Sequence, residues 1–482
     1  MNKRNFIAAV VAVGLGGCAL GPDFKTPAPP AAADAGYTPA PLPARTASAP
    51  GIGGAAQQFA WGQDIPAQWW TAFRSPALDP LIRAALERNP TMAAAEASLR
   101  QAQENYHAQA GGLLYPAVTG QLGAGRQKVP QSSAGAGVFN LYNASVNVAY
   151  TPDVFGATRR TLEGAQALVD YQRFQVEATY LALSANVVTT AIRQAALRAQ
   201  LQATREVLDA LTKQLGVIEK QFEYGAIPRT TVLSQRNQVA QVVATVAPLE
   251  KALAQSTHQL SVLAGRLPGE GGMPAFALES LALPEQLPVS LPSTLARQRP
   301  DVRASEELLR QASALVGVAT AAQYPQFTLS GAFGASSQTF GRLVDAQSTA
   351  WNLTAGLAAP IFNGGALHAR RRAAEAAYDA AAAQYRATLL TAFQNVADSL
   401  RALDADADAL KAQAEAEALA AESLALAGQQ YQLGGISYLS LLDAQRSYQQ
   451  THIALVQAQA ARYADTAALF QALGGGWWNK DR

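Results

Sequence analysis

A chain that repeats itself at a fixed spacing is confined to folds that hold two copies of one unit, and this chain does so. Tyr115-Pro116 returns as Tyr324-Pro325, 325 − 116 = 209 residues later. Pro152-Asp153-Val154-Phe155-Gly156 returns as Pro360-Ile361-Phe362-Asn363-Gly364 at 208, and Phe222-Glu223-Tyr224-Gly225-Ala226-Ile227 as Tyr431-Gln432-Leu433-Gly434-Gly435-Ile436 at 209. Gln235-Arg236 returns as Gln445-Arg446 at 210, and Leu263-Ala264-Gly265 as Gln471-Ala472-Leu473-Gly474 near 209. Five landmarks in one order at one offset identify a tandem duplication. Each half reads helix, strand, strand, long helix, turn, long helix. The first repeat is placed at 61–270, with strands near 117–129 and 140–152 and a helical hairpin near 158–264. The second is placed at 271–482, with strands near 326–338 and 350–362 and a hairpin near 366–473.

The strand assignments rest on period-two alternation. Tyr142, Ala144, Val146, Val148 and Tyr150 alternate with Asn143, Ser145 and Asn147. Phe327, Leu329 and Phe333 alternate with Gln326, Thr328 and Ser330, and Trp351, Leu353, Leu357 and Ile361 with Asn352, Thr354 and Gly356. The stretch 117–127 is weaker, with Val118 and Leu122 against Thr119 and Gln121. Such alternation suits a half-buried soluble sheet or a membrane barrel. Rings on the apolar side and small, nearly uncharged polar residues on the other favour the barrel.

The helices are too long for a small globule. From Thr158 to about Glu223, and from Ala366 to about Leu433, no proline intervenes. At about 1.5 Å per residue each stretch approaches about 100 Å. Each turns at a glycine and returns, and Pro248 is expected to kink the first returning helix. Alanine is frequent after residue 160, and Ala373, Ala376, Ala377, Ala380, Ala383 and Ala387 form a small-residue face suited to close lateral packing. A two-helix hairpin cannot bury such a face alone. Nor can four strands close a membrane barrel, whose smallest form has about eight, and open edges are not tolerated in hydrocarbon. The expectation is therefore an oligomer with a shared barrel.

At the N-terminus, Lys3 and Arg4 precede the apolar run Phe6 to Leu15, then Gly16, Gly17 and the chain's one cysteine, Cys18. This is the layout of an export signal at 1–17, too short to span a bilayer. Leu15-Gly16-Gly17-Cys18 resembles a bacterial lipobox, which implies a lipidated Cys18. Ala19 after it implies sorting to the outer membrane. Residues 18–60 read as the lipidated N-terminus and an extended Pro/Ala/Thr-rich tether. Without Lys3 and Arg4 the 37 basic and 35 acidic residues come into balance, so nothing attracts nucleic acid.

Duplication, strand pairs, glycine-turned hairpins and lipobox together resemble the TolC-like outer-membrane efflux factors, in their lipoprotein, NodT-type branch. The resemblance covers the whole mature chain. It is carried by Gly21-Pro22-Asp23-Phe24, Arg299-Pro300-Asp301-Val302-Arg303, Leu441-Leu442-Asp443-Ala444-Gln445-Arg446 and Pro360-Ile361-Phe362-Asn363-Gly364-Gly365. It implies an α+β membrane protein: a homotrimer with a twelve-stranded β-barrel in the outer membrane and a periplasmic α-helical barrel. It also implies a periplasmic adaptor and an inner-membrane pump of the resistance–nodulation–division type as partners. The chain would then be a passive conduit for small molecules, not an enzyme, needing neither cofactor nor metal. Family gate positions fall on Tyr431, Leu439, Asp443 and Arg446. The turn residues Gly225, Ala226, Gly434 and Gly435 become candidates for adaptor docking.

The competing readings are a lipid-anchored coiled-coil scaffold without a pore and a conduit for type I polypeptide secretion. An enzyme is a weaker fit. His107, His258, His368 and His452 stand apart from one another, and no His-Glu-x-x-His run, phosphate loop or nucleophile elbow occurs. Gly271-Gly272 and Gly474-Gly475-Gly476 read as linkers.

Overall fold

The computed structural model of the chain describes residues 19–28, 36–129 and 137–480. The export signal at 1–17 and Cys18 lie outside the described residues. The chain divides into two compact units. One comprises Met1–Pro27, Ala97–Arg173 and Ala304–Arg386; the other comprises Ala28–Glu96, Phe174–Arg303 and Ala387–Arg482.

The first unit holds a four-stranded antiparallel sheet. Its strands are β2 (Ala117–Val129), β3 (Gly137–Tyr150), β5 (Gln326–Ser337) and β6 (Thr349–Ala358), in the order β2-β3-β5-β6. Strand β3 ends at Tyr150, the last residue of its alternation, whereas β6 ends at Ala358, short of Ile361. Pro152 and Pro360 lie just beyond, and a residue without an N–H cannot continue a ladder. Ile361 therefore falls past the strand, 98% exposed. Register decides what the sheet presents. Val118 pairs with Val148, Val146 with Phe333, Phe333 with Trp351, and Phe327 with Leu357. Directly opposed residues share a face, so Val118, Leu122, Tyr142, Val146, Phe327, Leu329, Phe333, Trp351, Leu353 and Leu357 all lie on one side. Trp351 and Leu353 are 75% and 79% exposed. The other side carries Gln121, Asn147 and Asn352. Asn147 Nδ2 donates to Gln121 Oε1 at 3.3 Å, and Asn352 Oδ1 accepts from the Ala332 N–H at 3.1 Å. Among the described residues, the outer edges of β2 and β6 have no pairing strand.

The helices repeat as the sequence does. Helix α1 is Leu78–Arg88 and α2 is Pro90–Leu114; α5 is Pro292–Gln298 and α6 is Pro300–Ala321. Pro90, Pro292 and Pro300 each occupy the first helical position, where a missing N–H costs nothing. Asn89 caps α2 through its Oδ1, which accepts from the Thr91 N–H at 2.8 Å. The long helices are α3 (Ala157–Glu223) with α4 (Arg229–Leu263), and α7 (Ala366–Gln432) with α8 (Tyr438–Ala472). The helix α4 runs continuously through Pro248. Among the described residues no helix is long and apolar enough to cross a membrane.

The second unit contains two features not foreseen from sequence. Strand β1 (Gln58–Trp61) pairs in parallel with β4 (Gln286–Val289) as a separate two-stranded sheet. The end of the segment read as a tether is thereby packed rather than loose. Gln57 is fully buried and donates to the Pro284 carbonyl at 2.9 Å and to Thr466 Oγ1 at 3.0 Å.

Gly474-Gly475-Gly476, read as a linker, is a close-packed corner. All three have φ between 66° and 96°, and a Cβ on Gly475 would stand 2.3 Å from Leu181 Cδ1. Backbone freedom and absent bulk are both required there. The corner delivers Trp477, whose Nε1 donates to the Gln298 carbonyl at 2.6 Å, and Asn479, whose Nδ2 donates to the Ile65 carbonyl at 2.8 Å. Nearby, Trp69 stacks on Phe470 with centroids 5.4 Å apart.

Candidate functional site at the hairpin turns

Both turns are built by the same backbone device. The Gly225 N–H bonds to the Phe222 carbonyl and the Ala226 N–H to the Gln221 carbonyl, each at 2.9 Å. Gly434 and Gly435 do the same to Tyr431 and Gln430, at 3.1 and 2.8 Å. This crossed pair closes a helix C-terminus and requires a left-handed residue at its centre. Gly225 and Gly434 supply it, with φ of 74° and 73°. Both have open space where a Cβ would stand. The second turn adds a side-chain cap: Ser437 Oγ accepts from the Ser440 N–H at 3.2 Å.

The identical turns fix the helical register between the repeats at 209, because Arg229 and Tyr438 each open the returning helix. The Gln-Arg landmark, spaced at 210, is thus one residue out of step. Arg236 corresponds to Gln445, while Asp443 and Arg446 correspond to Ser234 and Asn237. The two hairpins therefore differ where charge is concerned. In the first, Arg236 clamps its own partner helix: Nε and Nη2 donate to Glu219 Oε1 at 3.0 and 2.7 Å. The positions matching this clamp in the second are Gln445 and Gly428.

The second hairpin instead reaches across to the first. Arg446 Nε donates to Gln238 Oε1 at 3.0 Å. Gln445 Nε2 donates to Gln214 Oε1, and the Tyr438 hydroxyl donates to Gln235 Oε1. Gln235 is fully buried, and its Nε2 donates on to the Leu211 carbonyl at 2.8 Å. Burial pushes the Tyr438 phenol above its usual range, so it stays a neutral donor.

Of the four positions singled out from sequence, Asp443 and Arg446 do share a face, with Nη1 and Oδ1 3.9 Å apart and both side chains largely exposed. At that separation and exposure the pair itself contributes little. Tyr431 lies against Tyr438, ring centroids 5.7 Å apart, and Leu439 is 64% exposed. The phenol that bonds across the hairpins is Tyr438. Sequence reasoning missed it, together with Gln214, Gln235 and Gln238. In the sequence Gln235 stands out only as half of a repeated dipeptide.

What this geometry can do is mechanical. A row of amide, phenol and guanidinium contacts joins two hairpins, of which only the first carries the Arg236–Glu219 clamp. Among the described residues no cluster of three or more His, Cys, Asp or Glu is placed to hold a metal.

A duplicated subunit whose open-edged sheet carries one apolar face, and whose paired hairpins meet at their turns, has the build of an outer-membrane conduit. The profile of the outer membrane efflux protein family matches residues 81–266 and 291–475, once per repeat. The chain belongs to that family and is an outer-membrane channel component of an efflux system. It is 31% identical over 490 aligned residues to the toluene efflux pump outer membrane protein TtgC of Pseudomonas putida, covering all of this chain and 97% of that one. It is 31% identical over 446 residues to the pyoverdine export outer membrane protein OpmQ of the same species, covering 91% and 94%. Among solved structures, the outer-membrane channel OprN superposes with a TM-score of 0.85 at 26% identity, covering 95% of this chain and all of that one.

Proposed function

We propose that three copies of this chain assemble into one passive conduit, a twelve-stranded barrel continued by a tube of helical hairpins. The observation that carries this reading is the sheet. Four strands in register place their apolar side chains on one face and, among the described residues, leave both outer edges unpaired. Unpaired edges in hydrocarbon cost several kcal/mol per group. Three four-stranded sheets joined edge to edge remove them and turn the Asn147 and Asn352 face onto water.

On this reading the turns at Gly225-Ala226 and Gly434-Gly435 form the periplasmic tip and meet an adaptor protein fed by an inner-membrane pump. Tyr431, Leu439, Asp443 and Arg446 line the closure, and the second hairpin, lacking the Arg236–Glu219 clamp, is the one that swings. Lipidation of Cys18 anchors the chain, and the protein performs no chemistry of its own. The relatives named for toluene and for pyoverdine handle chemically unlike cargo, which fits a conduit that leaves selection to the pump. In the purified full-length protein, an SDS-resistant species three chains in mass that conducts ions in planar bilayers is the expected result. A stable, water-soluble monomer after delipidation overturns the reading.

A further inference from the structure

One buried cation stands apart from the conduit: Arg160, 5% exposed, in the first turn of α3. Its guanidinium gathers the chain's N-terminal stretch. Nη2 donates to Asp23 Oδ1 at 2.7 Å and to the Gly21 carbonyl at 3.5 Å, and Nε donates to the Leu20 carbonyl at 3.3 Å. Nη1 donates to Glu163 Oε2 at 2.7 Å. The Leu20 N–H donates in turn to the Phe155 carbonyl at 3.2 Å.

The fit is close as well as polar. A Cβ on Gly156 would stand 2.6 Å from Ala19 Cα, one on Gly21 would stand 2.4 Å from Gly317 Cα, and one on Gly317 would strike the Arg160 stem at 2.8 Å. Phe24 ends the contact beneath Arg310, whose Cζ is 5.1 Å from the ring centroid. Gly156 and Arg160 come from the first repeat, Gly317 and Arg310 from the second. The two halves also meet directly here, Phe155 against Tyr324 with centroids 5.1 Å apart.

We propose that Ala19–Phe24 is a peptide ligand carried in cis, and that the Arg160 seat is the binding site that fixes where the N-terminus leaves the body. The seat has walls from both repeats, so it is complete only when both have folded. A terminal stretch is poorly ordered unless something ties it down, and here a desolvated guanidinium and three close glycines do so. Seating holds Ala19 against Gly156, the residue just ahead of α3.

Limited trypsin digestion of the full-length protein tests this, with mass spectrometry of the peptide ending at Lys25. Protease needs several extended residues on either side of the cut, and in the seated strap those preceding Lys25 are bound. Gly21→Val and Asp23→Ala alter only the strap and leave the body intact. Each is expected to speed cleavage after Lys25 at least tenfold while the SDS-resistant oligomer persists. Arg160→Gln gives the same result from the seat side. Cleavage in the strap variants as slow as in the parent overturns the proposal. The mass of the peptide reads lipidation separately: a protected Lys25 on a peptide without acyl mass supports the seat and removes only the anchor.

Discussion

Asp406 on α7 and Asp465 on α8 face each other beside Arg462, which is fully buried and donates from Nη2 to Gln57 Oε1 at 2.8 Å and to Thr46 Oγ1 at 3.2 Å. Burial, and then the hydrogen bond and charge of Asp465, push the Asp406 carboxyl up to about 7, with Arg462 opposing. An unfolded aspartate titrates at about 3.9, so between that pH and about 7 the native state holds a proton that the unfolded chain has released. The stabilising contribution is complete below about pH 4 and is lost as pH rises through about 7. Thermal stability should fall across that window, and Asp465→Asn should flatten the fall. Equal slopes for parent and variant across pH 4–8 would refute the shared-proton arrangement. At this scale the sequence was least informative. No local pattern singles out Asp406 or Asp465, and Gln57 falls in the stretch read as a tether, because what makes each unusual is a neighbour far away in the chain.

The elements were far more legible. Alternation located all four strands of the larger sheet, and proline and glycine spacing located both hairpins, because these signals are local. What alternation could not supply was register. The structure slides four weakly specified ribbons into one alignment that puts Val146, Phe333 and Trp351 side by side. If that face meets lipid, Leu353→Arg should cost about 2–4 kcal/mol in folding into bilayers. Ser330→Arg, on the opposite face, should be tolerated and alter conductance instead. The reverse pattern would turn the sheet inside out. The hairpins carry a second prediction. Asp443→Ala with Arg446→Ala removes the exposed pair and the Arg446–Gln238 link, and should raise single-channel conductance. Unchanged conductance in the double variant would withdraw the gate assignment.

For the whole molecule, the duplication, the period-two ribbons, the long hairpins and the balance of charge followed from the sequence alone, since each is a pattern within a few residues or a repeat of one. Membership of the efflux family was legible on the same grounds, through motifs spread over both halves. Tertiary structure decided the rest. It set the turn register at 209, broke the apparent match between Arg236 and Arg446, and gave the cross-hairpin bond to Tyr438. It also seated Ala19–Phe24 on Arg160 and packed three glycines into a corner that looked like a linker. The physical reason is range. Periodicity and turn chemistry act through adjacent backbone, whereas a buried amide or guanidinium is defined by partners hundreds of residues away, which only the folded chain brings within 3 Å.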